Sequence, residues 1–181
     1  VDGNGINTLF CYALNGDKNN RWEKLEKTQP DEKRVHFLVH GGSNAATVMR
    51  RTAEKVKTTF GLSNKYVMRK PSLLKTLVGA EKQKWHQDHF SHTGAPIYSA
   101  IIAVDSRNVI VGRLGSRPLS HTNVHLKPGD VLVFRTDLCH CGAGLMSNEK
   151  AIGAHMFLDA ENEPDLGRDT FNSLPDRTTV R

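Results

Sequence analysis

Cysteine is scarce. Cys11, Cys139 and Cys141 are the three in 181 residues, too few and of the wrong parity for a disulfide framework. A reducing, intracellular compartment is the resulting expectation. No apolar run approaches 18 residues, which excludes a membrane-spanning helix. The opening Val1-Asp2-Gly3-Asn4-Gly5 has neither a Met nor a basic-then-apolar leader pattern, so the chain reads as a fragment or a processed product. Internal repeats and low-complexity tracts are lacking too. The 38% of apolar and 24% of charged residues suit a packed core and exclude wholesale disorder. The length fits one domain, with room for an extension.

Charge is present but uneven. The formal net charge is +6. Residues 18–84 hold 16 of the 25 Lys and Arg against 6 of the 19 Asp and Glu. Such a half could face phosphate or nucleic acid. It could equally be the solvated outer face of an amphipathic helix.

The run Ile6 to Leu14, closed by Asn15-Gly16, reads as a strand and turn. Residues 15–34 read as polar loop, and His36 to His40 as a short strand. Ser43 or Asn44 can cap a helix from Ala45 to Phe60. Its apolar positions Ala45, Val48, Met49, Ala53, Val56 and Phe60 recur at three- and four-residue steps. Arg50, Arg51, Lys55 and Lys57 then fall mostly on its other face, and Gly61 is a natural stop. Beyond it come short β-like runs: 72–78, 97–104, 109–114, 121–126, 131–134 and 151–158. Turn signals separate them, among them Asp105-Ser106-Arg107-Asn108 and Pro128-Gly129-Asp130. Many short, evenly spaced strands imply an all-β sandwich or barrel. The division expected is an α/β segment over 1–65, a β core over 66–160 and a C-terminal extension over 161–181.

The stretch that points to chemistry is Trp85-His86-Gln87-Asp88. On an extended segment His86 and Asp88 share a face. Imidazole nitrogen with carboxylate oxygen suits a divalent ion such as iron(II). The turn at Pro128-Gly129-Asp130 leads through the apolar Val131–Phe134 towards His140. Two histidines and one carboxylate on one side of a metal leave positions open for substrate and oxygen. Lys150 shares strand parity with Ile152, Ala154 and Met156. If those face the barrel interior, Lys150 does too, and a lysine there needs an anion. His155 falls on the opposite parity and is the poorer inward candidate.

His86-x-Asp88, His140 52 residues later and Lys150 ten further on resemble the iron(II)/2-oxoglutarate-dependent dioxygenases, most of all their prolyl 4-hydroxylase-like branch. The resemblance covers roughly residues 66–158. It implies a double-stranded β-helix, the jelly roll of cupin-like proteins, with flanking helices. It implies iron(II) on His86, Asp88 and His140, with 2-oxoglutarate and O2 as co-substrates. Lys150, with Tyr98 in support, would hold the far carboxylate of 2-oxoglutarate. The reaction implied is hydroxylation of an unactivated C–H bond, coupled to decarboxylation of 2-oxoglutarate to succinate. Ile152 stands where the family often carries a hydroxyl residue.

Other readings stay open. A zinc site drawing on His86, His89, His92, Cys139 and Cys141 lacks Cys-x-x-Cys spacing. Trp85 and Arg113 are candidates for substrate contact as well as for packing or surface roles. The chain could be a non-catalytic jelly-roll binding module in a larger assembly, or a metal-dependent cupin that does not use 2-oxoglutarate. Among substrates, a prolyl residue of a peptide or protein is favoured. Nucleic-acid bases come second because no aromatic-and-basic ladder for stacking is evident.

Overall fold

Asp2 opens the first helix. Its carboxylate accepts a 2.8 Å hydrogen bond from the Gly5 N–H, and α1 runs Gly3–Lys18. The strand expected over 6–14 is therefore helix. Gly5, Leu9, Ala13 and Gly16 are its buried residues, at steps of four and three, which is the helical period and not the strand period. The computed structural model describes residues 1–19, 21–24, 33–88, 91, 93–112, 121–145, 150–162 and 172–173.

The second helix, α2, runs Asn44–Phe60. Ser43 caps it by accepting from the Ala46 N–H at 3.1 Å. Gly61 ends it at φ 62°, with its N–H turned back to the carbonyls of Lys57 and Thr58. Arg50, Arg51 and Lys55 are exposed as the amphipathic pattern requires, whereas Lys57 is buried and paired with Glu54 at 3.0 Å.

The strands are β1 (Glu23–Lys24), β2 (Arg34–Leu38), β3 (Tyr66–Thr76), β4 (His86–Gln87), β5 (Tyr98–Ala103), β6 (Arg107–Gly112), β7 (His121–Leu126), β8 (Val131–Arg135), β9 (His140–Gly142), β10 (Ala151–Ala160) and β11 (Asn172–Ser173). They form two antiparallel sheets. The larger has the order β1-β2-β3-β10-β5-β8, the smaller β11-β4-β9-β6-β7. Eight of them, β3 to β10, switch sheet at every step except β6 to β7, which form a hairpin in the smaller sheet, in the manner of a double-stranded β-helix. The division at residue 65 does not separate layers, because β2 pairs directly with β3.

Strand β3 begins six residues before the expected 72. Pro71 follows Lys70, whose φ is 42°. The register with β10 shifts at this point, between His155↔Ser72 and Phe157↔Arg69. A proline inside a strand is tolerated at such a bulge.

The larger sheet is covered on both faces. Ile152, Ala154 and Met156 pack in one core with Leu9 and Met49 of the helices. Ile101, Ala103 and Phe134 form a second core with Val109 and Leu126 of the facing sheet. Odd-numbered residues of β10 thus look into the space between the sheets, and even-numbered ones look towards the helices.

Candidate metal centre

Two short strands place the site. Before β4, Gln83 ties the chain to the end of β9: its N–H donates to the Gly142 carbonyl at 3.0 Å, and its Oε1 accepts from the Gly142 N–H at 2.7 Å. Strand β4 then pairs with β9 so that His86 lies opposite His140. Directly opposed residues share a face, and the two imidazole centroids are 4.4 Å apart. Alternation returns Asp88 to that face, and the Asp88 N–H is fixed to the Thr136 carbonyl at 3.0 Å.

The three side chains converge. Asp88 Oδ1 is 3.4 Å from His140 Nε2 and 3.8 Å from His86 Nε2. One donor atom from each residue lies within 4.8 Å of the others, and all three residues are buried. This is the one such trio of His, Cys, Asp or Glu among the described residues. His86 Nδ1 contacts the Lys84 carbonyl at 2.9 Å, and His140 Nδ1 contacts the Leu138 carbonyl at 3.0 Å. A carbonyl can only accept, so each Nδ1 carries the proton and each Nε2 is presented to the shared point. Phe134 packs its ring 4.5 Å from that of His140.

The electrostatics describe a site built around one carboxylate. Burial alone would raise the pKa of Asp88, but His140, then His155 and His86, hold it well below the ordinary range. His140 is the reverse case: burial opposes its protonation, and Asp88 outweighs burial and raises it. Burial and His140 push His86 down to about 4. Asp88 Oδ2 is buried and has no hydrogen-bond partner. An orphaned carboxylate oxygen beside two oriented imidazoles fits a divalent cation, which would supply the missing bond.

The residues expected to bind the co-substrate lie elsewhere. Lys150 precedes β10 and is 40% exposed, with Nζ 3.2 Å from Asp17 Oδ2 of α1. It does share parity with Ile152, Ala154 and Met156, as expected, but that is the helix-facing side. Tyr98 is on the same side of β5. It packs against the helix-facing core, with its ring 5.9 Å from that of Tyr66. The inward expectation for both is corrected: a sheet buried on two faces has two apolar sides, and apolarity does not say which one lines the cavity.

His155, set aside on parity, is the residue that faces inward. Its Nε2 is 2.7 Å from Ser99 Oγ. Burial lowers its pKa to about 4 against the pull of Asp88, with His140 and Arg107 adding to the decrease. Arg107, read as part of a turn, opens β6 and also faces inward. Among the other candidates, Trp85 lies beside His121, with ring centroids 5.9 Å apart. Cys141 is buried and Cys139 partly so; both are free thiols. His89, His92 and Arg113 lie outside the described residues.

No protein-family model matches the sequence, and no curated protein matches it either. Solved structures do. AviO1 from Streptomyces viridochromogenes Tue57 matches with a TM-score of 0.69 at 13% identity, over 91% of this chain and 88% of its own. A prolyl hydroxylase from Trichoplax adhaerens, in complex with a hypoxia inducible factor oxygen degradation domain peptide fragment, gives 0.64 at 10%, over 89% and 80%. HygX from Streptomyces hygroscopicus, with nickel and 2-oxoglutarate bound, gives 0.62 at 11%, over 92% and 80%. At these identities the likeness concerns architecture, and it agrees with the strand order: the chain folds as a double-stranded β-helix of the cupin-like kind.

Proposed function

We propose that the chain is an iron(II)- and 2-oxoglutarate-dependent oxygenase that hydroxylates an unactivated C–H bond. The observation that carries this is the convergence of His86, Asp88 and His140 on one point, with the second Asp88 oxygen, Oδ2, left without a hydrogen-bond partner. When bound, iron(II) with 2-oxoglutarate and O2 supplies the oxidising power, and 2-oxoglutarate leaves as succinate and CO2. The protein's own part is positioning. The carbonyls of Lys84 and Leu138 fix the imidazole tautomers, so that both Nε2 atoms are aimed before any ligand arrives. Asp88 gives the site its negative charge. Phe134 and the flanking β-core keep bulk water from one side of it. The likeness to HygX with nickel and 2-oxoglutarate supports the choice of cofactors.

A peptide or protein is the substrate class to test first, supported by the likeness to a prolyl hydroxylase in complex with a peptide. The test is succinate formation under air with iron(II) and 2-oxoglutarate, screened over prolyl peptides, oligonucleotides and small metabolites. Stimulation by one class, lost in Asp88→Ala, is the expected result. If no divalent ion binds the purified protein, the reading is wrong at its root. Stimulation by small metabolites alone would retain the oxygenase and remove the peptide.

A further inference from the structure

We infer that Arg107, and not Lys150, is the anchor for the free carboxylate of the 2-oxoglutarate that the preceding reading requires. The assignment rests on that reading, and it starts from the placement of one guanidinium.

Arg107 pairs with Leu126 at the start of β6. By alternation it shares a face with Val109 and Val111, and Val111 is the residue opposite His140. Val109 belongs to the core between the two sheets, with Val111 packed against it. Arg107 therefore opens onto the same interior as the metal trio. It is displaced from Val111 by four residues, roughly 13 Å along the strand at about 3.3 Å per residue.

The side chain crosses the gap to the facing sheet. It lies directly over Gly153 of β10, where a Cβ would stand 1.8 Å from Arg107 Nη1 and 3.0 Å from Cζ. Any other residue at 153 would displace the guanidinium, so this glycine is a cradle for it. His155, two residues on and also inward, feels the charge of Arg107 as well as that of Asp88. The arginine, the histidine and the metal trio thus share the space between the two sheets.

Among the described residues, no hydrogen-bond acceptor completes two of the Arg107 nitrogens. Its Nε and Nη1 are buried and have no hydrogen-bond partner. Asp105 attracts it, but Asp105 Oδ2 accepts the Ile152 N–H at 3.0 Å. The nearby guanidinium of Arg34 adds repulsion and is itself directed to the carbonyls of Glu81 and Ala143, at 2.7 and 3.0 Å. A guanidinium with two buried, unpaired nitrogens is costly, and a carboxylate is the group that relieves it. Lys150 has no such need, since Asp17 already pairs with it.

The test is calorimetric titration of 2-oxoglutarate, without oxygen, into protein loaded with manganese(II). Four forms are compared: wild type, Arg107→Met, Gly153→Ala and Lys150→Ala. In Arg107→Met and Gly153→Ala, affinity should fall roughly 10- to 100-fold, the range for a charge-assisted bond. Lys150→Ala should stay within about twofold. Manganese affinity should be the same in all four. Titration with 2-oxopentanoate, which lacks the far carboxylate, separates anchoring from collapse: it should bind wild type and Arg107→Met equally. Arg107→Met should melt no lower than wild type, because it removes an unpaired buried charge; should it fail to fold, Gly153→Ala carries the comparison. Unchanged 2-oxoglutarate affinity in the Arg107 and Gly153 variants, or equal losses for both ligands, would overturn the assignment. Manganese binding by wild type with no 2-oxoglutarate binding would instead sink the co-substrate reading, and absence of manganese binding the metal reading; either takes this assignment with it.

Discussion

Asp17 and Lys150, 133 residues apart in the chain, meet at 3.2 Å. Lys75 of β3 pairs with the other oxygen of the same carboxylate and lies over the Trp22 ring, 4.2 Å from its centroid. The end of α1 is thereby fastened to two strands of the larger sheet. Burial would raise the Asp17 pKa, but Lys75 and Lys150 together lower it below its usual 3.8. A lowered carboxyl pKa contributes stability in full above the unfolded value and loses it as pH falls through the folded value. Asp17→Asn should therefore cost about 0.5–1 kcal/mol from pH 5 to 8, the scale of a partly exposed pair. The difference from wild type should shrink below about pH 4. Urea denaturation across that range measures it; a difference that grows towards acid would contradict the sign.

Asp88→Asn separates two roles of one residue. Without metal, the substitution removes a carboxylate that the neighbouring histidines, His140 first, hold well below its ordinary pKa, so above about pH 4 the melting temperature should fall. With manganese(II) or nickel(II) added, wild type should gain stability in proportion to the logarithm of metal concentration, and the variant should gain almost none. Thermal scans with metal and with a chelator check both halves.

Met49 is fully buried where α2 meets the larger sheet. Met49→Ala should cost about 2–5 kcal/mol, the range for truncating a large core side chain. It should lower the denaturation midpoint while leaving metal affinity unchanged in the folded fraction. A loss under about 1 kcal/mol would mean that the helices are loosely seated on the sheet.

Gly61 tests the helix stop alone. A Cβ there would meet nothing within 4 Å, yet φ is 62°, so any cost of Gly61→Ala is conformational. It should be about 1 kcal/mol, read as a shift in denaturation midpoint. Gly61→Asn should recover part of it, because asparagine tolerates the left-handed region.

The convergence of His86, Asp88 and His140 was legible because its signal is local and periodic. His86-x-Asp88 needs only strand alternation, and His140 needs only a later strand beside it. Helix α2 announced itself through a polar cap, a three-and-four-residue stripe and Gly61. What failed had separate physical sources. Strand parity divides β10 and β5 correctly into two faces, but both faces are buried, so parity alone could not tell that Lys150 and Tyr98 lie on the helix side. Arg107 was hidden by its neighbours: Asp105, Ser106 and Asn108 are turn formers, and they masked a strand that begins at 107. Helix α1 was missed because Leu9-Phe10-Cys11-Tyr12 looks like strand over four residues, and its period shows only when Gly5 and Gly16 are counted.

His86 and His140 are neighbours in space but lie 54 positions apart in the chain. The strand that presents His86 is two residues long, so few backbone bonds hold it in register. A cation coordinated by both imidazoles would close a loop of that length, and closing a long loop removes entropy mainly from the unfolded chain. Ion capture would then act as a reversible crosslink between the two halves of the smaller sheet.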